Sequence, residues 1–281
     1  MDGKIDLHIH TTASDGTYTP RRAVELARAL GLAAIAVTDH DTVSGVPEAM
    51  ATGEALGVEI VPGIEVSAGY DGRSVHILGL FIDPGSPALR PVLEWALNER
   101  SARNAKIIAA MNADGFDISP EALRRANPTA VLGRPHIAGW LAEHGYVSSV
   151  EEAFDRYLDR GRPYYRPRTR MPLADAVRAI RDAGGVAVLA HPLQYGFDPD
   201  GLDRLIRDAK AAGCLAIEAY YSKYSPAQTA ELLAFAARYG MAVSGGSDFH
   251  GAVKPDISMG SGIDGGLAVP HSVLDGLKAV R

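Results

Sequence analysis

The chain has 281 residues, 47% of them hydrophobic and 22% charged, with a net charge of −6; it can bury a large core, but no overall positive field holds it on long duplex nucleic acid or an anionic membrane. A single cysteine, Cys214, excludes an internal disulfide and a thiolate metal cage. No apolar run reaches the ~18 residues of a spanning helix and no basic-then-apolar leader opens the sequence, so a cytoplasmic protein is expected.

In chain order, residues 5–10 read as a strand, 20–30 as a helix with Thr19 as N-cap and Gly31 as its stop, and 34–38 as a second strand. A helix at 47–56 and a third strand at 58–66 follow. From about Pro87 to Pro163 the pattern is helical only, with candidates at 92–111, 120–126, 134–144 and 150–158. The alternation then resumes, with helices at 173–183, 202–212 and 227–239 and strands at 186–190, 216–220 and 242–245. Strands spaced by helices imply parallel crossover units. Their number favours a barrel over an open sheet, and no GxGxxG fingerprint follows the first strand. The expected organisation is an α/β barrel built from 1–86 and 164–281, interrupted by a small helical insertion or cap at 87–163.

The chemistry is concentrated at strand ends. Residues two apart on a strand face the same way, so His8 and His10 in DLHIH point together. The second strand ends in Thr38-Asp39-His40-Asp41, the third carries Glu65, and later apolar runs end in Ala190-His191-Pro192 and Ser247-Asp248-Phe249-His250. Carboxyl ends of parallel barrel strands converge on one mouth. So many imidazoles and carboxylates in one cavity would leave unpaired polar groups unless cations sit among them. Asp39 and Asp41 flank His40 but alternate away from it, which suits supporting or turn-forming groups. His144 and His271 match none of these contexts and read as surface or structural residues.

The segments DLHIHTTASDGTYTP, VTDHDTVSG, PGIEVSA, HILG, GRPHIA, GGVAVLAHP and GGSDFHG together resemble, in order and over nearly the whole chain, the polymerase and histidinol phosphatase (PHP) family of metal hydrolases. That resemblance implies a distorted seven-stranded β/α barrel with three divalent ions at its mouth. Carried over by position, His8, His10, Glu65 and Asp248 would hold the first ion. Glu65 would bridge to a second, shared with His76 and His136, and Asp15, His40 and His250 would take the third.

Nitrogen and carboxylate ligands without sulfur suit Mn²⁺, Fe²⁺ or Zn²⁺, with Mn²⁺ the first choice. Water held between such ions can ionise near neutral pH, and the hydroxide would attack phosphorus. Three ions outweigh the carboxylates Asp15, Glu65 and Asp248, which favours a phosphate dianion over an amide. Arg134 and His191 are the candidate catalytic residues. Arg134 would grip phosphate oxygens; His191 would contact phosphate or protonate the leaving oxygen, with a further ligand role competing. DRGRPYYRPRTR, residues 159–170, interleaves arginines with tyrosines as binding a phosphate plus a stacked base requires. Arg166 and Arg168 there, and Lys223 after a strand end, are candidate substrate contacts. Within the family the chain resembles nucleoside 3′,5′-bisphosphate phosphatases and 5′-to-3′ exonucleases. The expected activity is release of a terminal phosphate from a nucleoside bisphosphate, an AMP-like nucleotide or a short oligonucleotide. A small non-nucleotide ester such as histidinol phosphate, and a non-catalytic PHP module, are the alternatives. No protein partner is evident.

Overall fold

The computed structural model describes residues 3–281. Its strands are β1 (Ile5–Ile9), β2 (Ala34–Val37), β3 (Glu59–Tyr70), β4 (Arg73–Leu80), β5 (Met171–Pro172), β6 (Val186–Leu189), β7 (Ala216–Tyr221) and β8 (Ala242–Gly246). Seven of them follow one path, β1-β2-β3-β4-β6-β7-β8, while β5 pairs with β3. The ends of this path meet: Asp248 N–H donates to the His8 carbonyl at 2.8 Å and His10 N–H to the Phe249 carbonyl at 2.9 Å. The approach is close enough to demand glycine, because a Cβ on Gly246 would stand 2.4 Å from His8. The sheet is therefore a nearly closed barrel.

Side chains on each strand divide by the pleat. On β2, Ile35 and Val37 pack with Ala23, Val24 and Ala27 of α1 (Pro20–Ala29), whereas Ala34 and Ala36 join Leu7, Leu78 and Val188 in a separate buried cluster. Small residues on the second face leave room for the bulky ones opposite. Helix α2 (Val46–Leu56) covers the same side as α1. Helices α7 (Leu173–Asp182), α8 (Pro199–Ala212) and α9 (Pro226–Tyr239) cover the remaining strands, and α10 (His271–Ala279) contributes Val273, Leu274 and Leu277 to the second cluster.

Between β4 and β5 come α3 (Arg90–Ala113), α4 (Pro120–Ala126), α5 (Arg134–Glu143) and α6 (Val150–Ala153), which continues as a π turn over Phe154–Leu158. Their apolar residues, including Ile107, Met111, Ile137, Trp140 and Leu141, form a core of their own. Helix α3 joins the two bodies, since Val92 near its start packs against the barrel and Met111 near its end packs in the helical cluster.

Three features depart from the sequence reading. The third strand continues to Tyr70 and folds back as β4 in an antiparallel hairpin. Asp71 and Gly72 both have positive φ, 47° and 70°, the backbone that an Asp-Gly two-residue turn adopts. Consequently β4 runs against both β3 and β6, and the barrel is not wholly parallel. Helix α10, absent from the sequence expectation, places His271 at its start beside Asp275, away from the mouth. Residues 154–158 are wound more loosely than an α-helix, with Asp159 N–H reaching back to the Phe154 carbonyl at 3.0 Å.

Candidate metal centre and phosphate cleft

Strand register and loop strain together aim the polar side chains at one point. His8 lies on β1 and Glu65 in the middle of β3, with His10, His40, His191, Asp248 and His250 just beyond strand ends. Asp41, His191 and Asp248 hold φ of 56°, 25° and 58°, a left-handed backbone that costs a non-glycine residue roughly 1–3 kcal/mol. Buried carboxylates brace these bends. Asp6 accepts from Ser247 N–H and Oγ and from Gly260 N–H, and Asp39 accepts from Thr11 and Ser14 in the loop that delivers Asp15.

The donor atoms fall into four overlapping groups, each within 4.8 Å across: His8, His10 and Asp248; His8, Glu65 and His191; His40, Glu65 and His76; and His10, Asp15, His40 and His250. His8 Nδ1–H donates to Glu218 Oε1 at 2.9 Å, which leaves Nε2 turned toward His10 Nε2, 3.2 Å away. His250 is oriented likewise, with Nδ1–H on the Asp248 carbonyl at 2.8 Å and Nε2 3.4 Å from Asp15. Glu65 sits centrally, 2.8 Å from His40 and His76 and 3.0 Å from His191. Burial alone would raise the Glu65 carboxyl, but His40, His76 and His8 outweigh it and hold it well below its usual range. Asp15 and Asp248 are depressed in the same way, the neighbouring charged groups again overcoming burial.

These residues fit divalent cations. His8 Nε2 and His10 Nε2 face one another at 3.2 Å, and His40 Nδ1 and Glu65 Oε2, though 2.8 Å apart, are buried without an aligned hydrogen bond. His191 Nδ1 is likewise unpartnered. The donor set is nitrogen and carboxylate oxygen, which accommodates Mn²⁺, Fe²⁺ or Zn²⁺.

One carried-over position stands apart. His136 belongs to none of the four groups: Gly133 N–H donates to its Nδ1 at 2.9 Å and its Nε2 lies 2.8 Å from the Ser14 carbonyl. Nδ1 thus caps the start of α5 while Nε2 ties that helix to the loop that carries Asp15. His191, read from the sequence as a phosphate contact or proton donor with a ligand role competing, lies in one group with Glu65 and His8.

Beside the cluster opens a cleft lined by Asp15, His40 and His76 on one side and by six arginines, at 100, 103, 134, 166, 168 and 170, on the other, with Phe154 and Tyr165 between. Arg134 donates to the Leu158 carbonyl at 2.8 Å, so the π turn supports it, and its guanidinium lies over Phe154 and Tyr165. Arg166 is turned partly onto the carbonyls of Pro163 and Tyr165. Arg168 is half-buried, and its Nη1 has no hydrogen-bond partner but faces Asp41 at 3.7 Å. Lys223 is exposed and does not line this cleft.

Sequence reasoning did not anticipate Arg100 and Arg103, which lie on one face of α3 in a stretch that reads as solvated. Arg100 pairs with Asp41 at 2.6 Å and donates to Ser67. Burial, then Arg100, Arg168 and Arg134 nearby, lowers the Arg103 guanidinium to about 8. Its one side-chain hydrogen-bond partner is Asn104. Such crowding of like charge calls for an anion. Glu218 was also missed: within the apolar run of β7 it accepts both His8 Nδ1–H and the His191 N–H, the latter at 2.7 Å. Tyr221 and Lys254 both reach the outer oxygen of Asp248, at 2.8 and 2.7 Å.

A barrel whose mouth gathers histidines and carboxylates beside an arginine-lined cleft defines a metal-dependent hydrolase acting on phosphate esters. The chain belongs to the PHP domain family, whose model matches residues 6–169. It is 37% identical to the 3′,5′-nucleoside bisphosphate phosphatase of Chromobacterium violaceum, over 88% of this chain and 87% of that protein. It is 34% identical to the 5′-3′ exoribonuclease of Haemophilus influenzae, over 89% and 91% respectively. A metal-dependent phosphoesterase structure from Bifidobacterium adolescentis superposes with a TM-score of 0.86 at 30% identity, covering 98% of this chain and 95% of that one. Among the described residues no helix is long and apolar enough to cross a membrane.

Proposed function

We propose that this enzyme removes a terminal phosphate from a nucleotide that carries a second phosphate, either a nucleoside 3′,5′-bisphosphate or the end of a short oligonucleotide. The observation that carries the reading is the arginine cleft directly beside the histidine cluster. One phosphate at the cluster leaves a second to meet Arg100, Arg103 and Arg168, and Phe154 and Tyr165 offer faces on which a base stacks.

Three divalent ions, with Mn²⁺ as first choice, suit the donor groups. His8, His10, Glu65 and Asp248 would hold one, Glu65, His76 and His191 a second, and Asp15, His40 and His250 a third. When bound, such ions draw charge from phosphoryl oxygens and bring the ionisation of water near neutral pH. The chain supplies the rest. Glu218 fixes the His8 ring with Nε2 inward, Glu65 joins the ion positions, and Arg134, stiffened by the Leu158 carbonyl, is placed for a forked grip on phosphate oxygens. His191 acts as a ligand in this reading, and His136 as a tie between the helical segment 87–163, taken as a cap, and the barrel. Arg166 lines the outer wall of the cleft. The enzyme is taken to be cytoplasmic.

Phosphate release from 3′,5′-bisphosphorylated adenosine, AMP, a 5′-phosphorylated trinucleotide and histidinol phosphate, each with Mn²⁺, tests the reading. The bisphosphate or the trinucleotide should give the highest kcat/KM. Preference for histidinol phosphate, or no release from any of the four, overturns it.

A further inference from the structure

The two oxygens of Asp248 meet different surroundings. Oδ1 faces the cluster, 3.3 Å from His10 Nε2 and 3.6 Å from His8 Nε2. Oδ2 is taken up by two donors of the chain itself, the Tyr221 hydroxyl at 2.8 Å and the Lys254 ammonium at 2.7 Å. Asp15 and Glu65, the other carboxylates of the cluster, form their ion pairs with histidines alone. Of the three, among the described residues, only Asp248 shares its charge with a lysine.

The turn that delivers Lys254 is pinned to the loop that carries Asp15. Ala252 N–H donates to Thr17 Oγ1 at 2.9 Å, and Thr17 N–H donates to the His250 carbonyl at 3.1 Å. This approach demands glycine at 251, where φ is 67° and a Cβ would collide with Thr17 Oγ1. Lys254 N–H then closes the turn on the Gly251 carbonyl at 3.1 Å. Lys254 does not line the arginine cleft, so its ammonium is committed to the ligand and not to a substrate phosphate held there.

Resting on the metal-dependent reaction proposed above, we infer that Lys254, together with Tyr221, is a positioning residue that holds Asp248 to one inward oxygen and takes up part of its charge. A carboxylate free at both oxygens can grip a cation with two and neutralise it more fully. Held as it is, Asp248 offers a single oxygen of reduced charge, which leaves more of a cation's field for phosphoryl oxygens. The same ammonium repels a divalent cation, so it weakens metal binding while favouring the reaction. A residue that only supported the fold would act in the opposite sense, since its loss would loosen the ligands.

The test titrates chelator-stripped wild type, Lys254→Met and Lys254→Arg with Mn²⁺, then follows phosphate release at saturating Mn²⁺ from whichever of the four substrates above has the highest kcat/KM. The Lys254 side chain is 32% exposed, so folding should survive, and equal melting temperatures of the stripped proteins check that. Should Lys254→Met fail to fold, Lys254→Gln carries the same comparison. Lys254→Met should bind Mn²⁺ about tenfold more tightly through loss of one repelling charge. It should also lower kcat about tenfold while KM stays within about twofold, the pattern of an interaction that matters in the transition state. Lys254→Arg, which keeps the charge, should stay near the wild type in both. Weaker or unchanged Mn²⁺ binding by Lys254→Met, a kcat that does not fall, or a Lys254→Arg that behaves as Lys254→Met does, overturns the positioning role and leaves the proposed function standing. Wild-type protein that takes up no Mn²⁺, or releases phosphate from none of the four substrates, overturns both.

Discussion

Replacing Asp41 by asparagine separates the charge at the root of the arginine cleft from its shape. Asparagine tolerates the left-handed backbone at this position, φ 56°, and retains an oxygen for the Ser67 N–H, 2.8 Å away, so little but the charge is lost. Burial pushes the Asp41 carboxyl up, but Arg100 and then Arg168 overcome this and hold it at about 2, against an ordinary value of 3.8. That depression corresponds to about 2 kcal/mol of folding stability, and the two guanidiniums left without a counter-charge raise the expected loss to about 2–4 kcal/mol. Because the folded carboxyl is the stronger acid, its contribution is complete above pH 3.8 and drains as the pH falls through about 2. Urea unfolding of the two proteins should show a gap that is constant from pH 8 to pH 5 and narrows only in stronger acid. A loss under 0.5 kcal/mol at pH 7, or a gap that changes between pH 8 and 5, would refute the argument.

Glu218→Gln, which loosens the hold on the His8 ring, should weaken metal binding roughly 10- to 100-fold, measured by titrating chelator-stripped protein with Mn²⁺. His191→Gln should lower the number of ions retained through gel filtration, whereas His136→Gln should retain the full number; the opposite ranking by elemental analysis contradicts the ligand reading. Arg103→Met should raise the melting temperature of the ligand-free protein by relieving like-charge crowding, yet raise KM for nucleoside bisphosphates roughly tenfold. Dialysis against a chelator should abolish phosphate release and lower the melting temperature, with Mn²⁺ restoring both.

The alternation of strands and helices was legible because β1, β2, β6 and β7 are short apolar runs set between helices with readable caps. Thr19, for example, caps α1 by accepting from Arg22 N–H. The hairpin at β3 and β4 escaped notice although Asp71-Gly72 spells its turn, because Tyr70 and Arg73 interrupt the apolar pattern on either side. His8, His10, Glu65, Asp248 and His250 could be gathered from strand ends because the pleat and the barrel mouth fix their direction. The resemblance put His136 among the ligands and left His191 between catalysis and ligation, since a helix start and a strand end look equally suitable until the partners of each ring are known. Arg100 and Arg103 were hidden for a related reason: on α3 they look like ordinary solvated charges, and only the fold of the inserted helices over the mouth buries them.

The seam between β1 and β8 bears on how the molecule comes into being. His8 stands on β1 and Asp248 just beyond β8, so no nascent chain can assemble the cation site until β8 has emerged. Loading with metal is thereby deferred until β8 has joined β1, and a product truncated before β8 is left without the full set of donors.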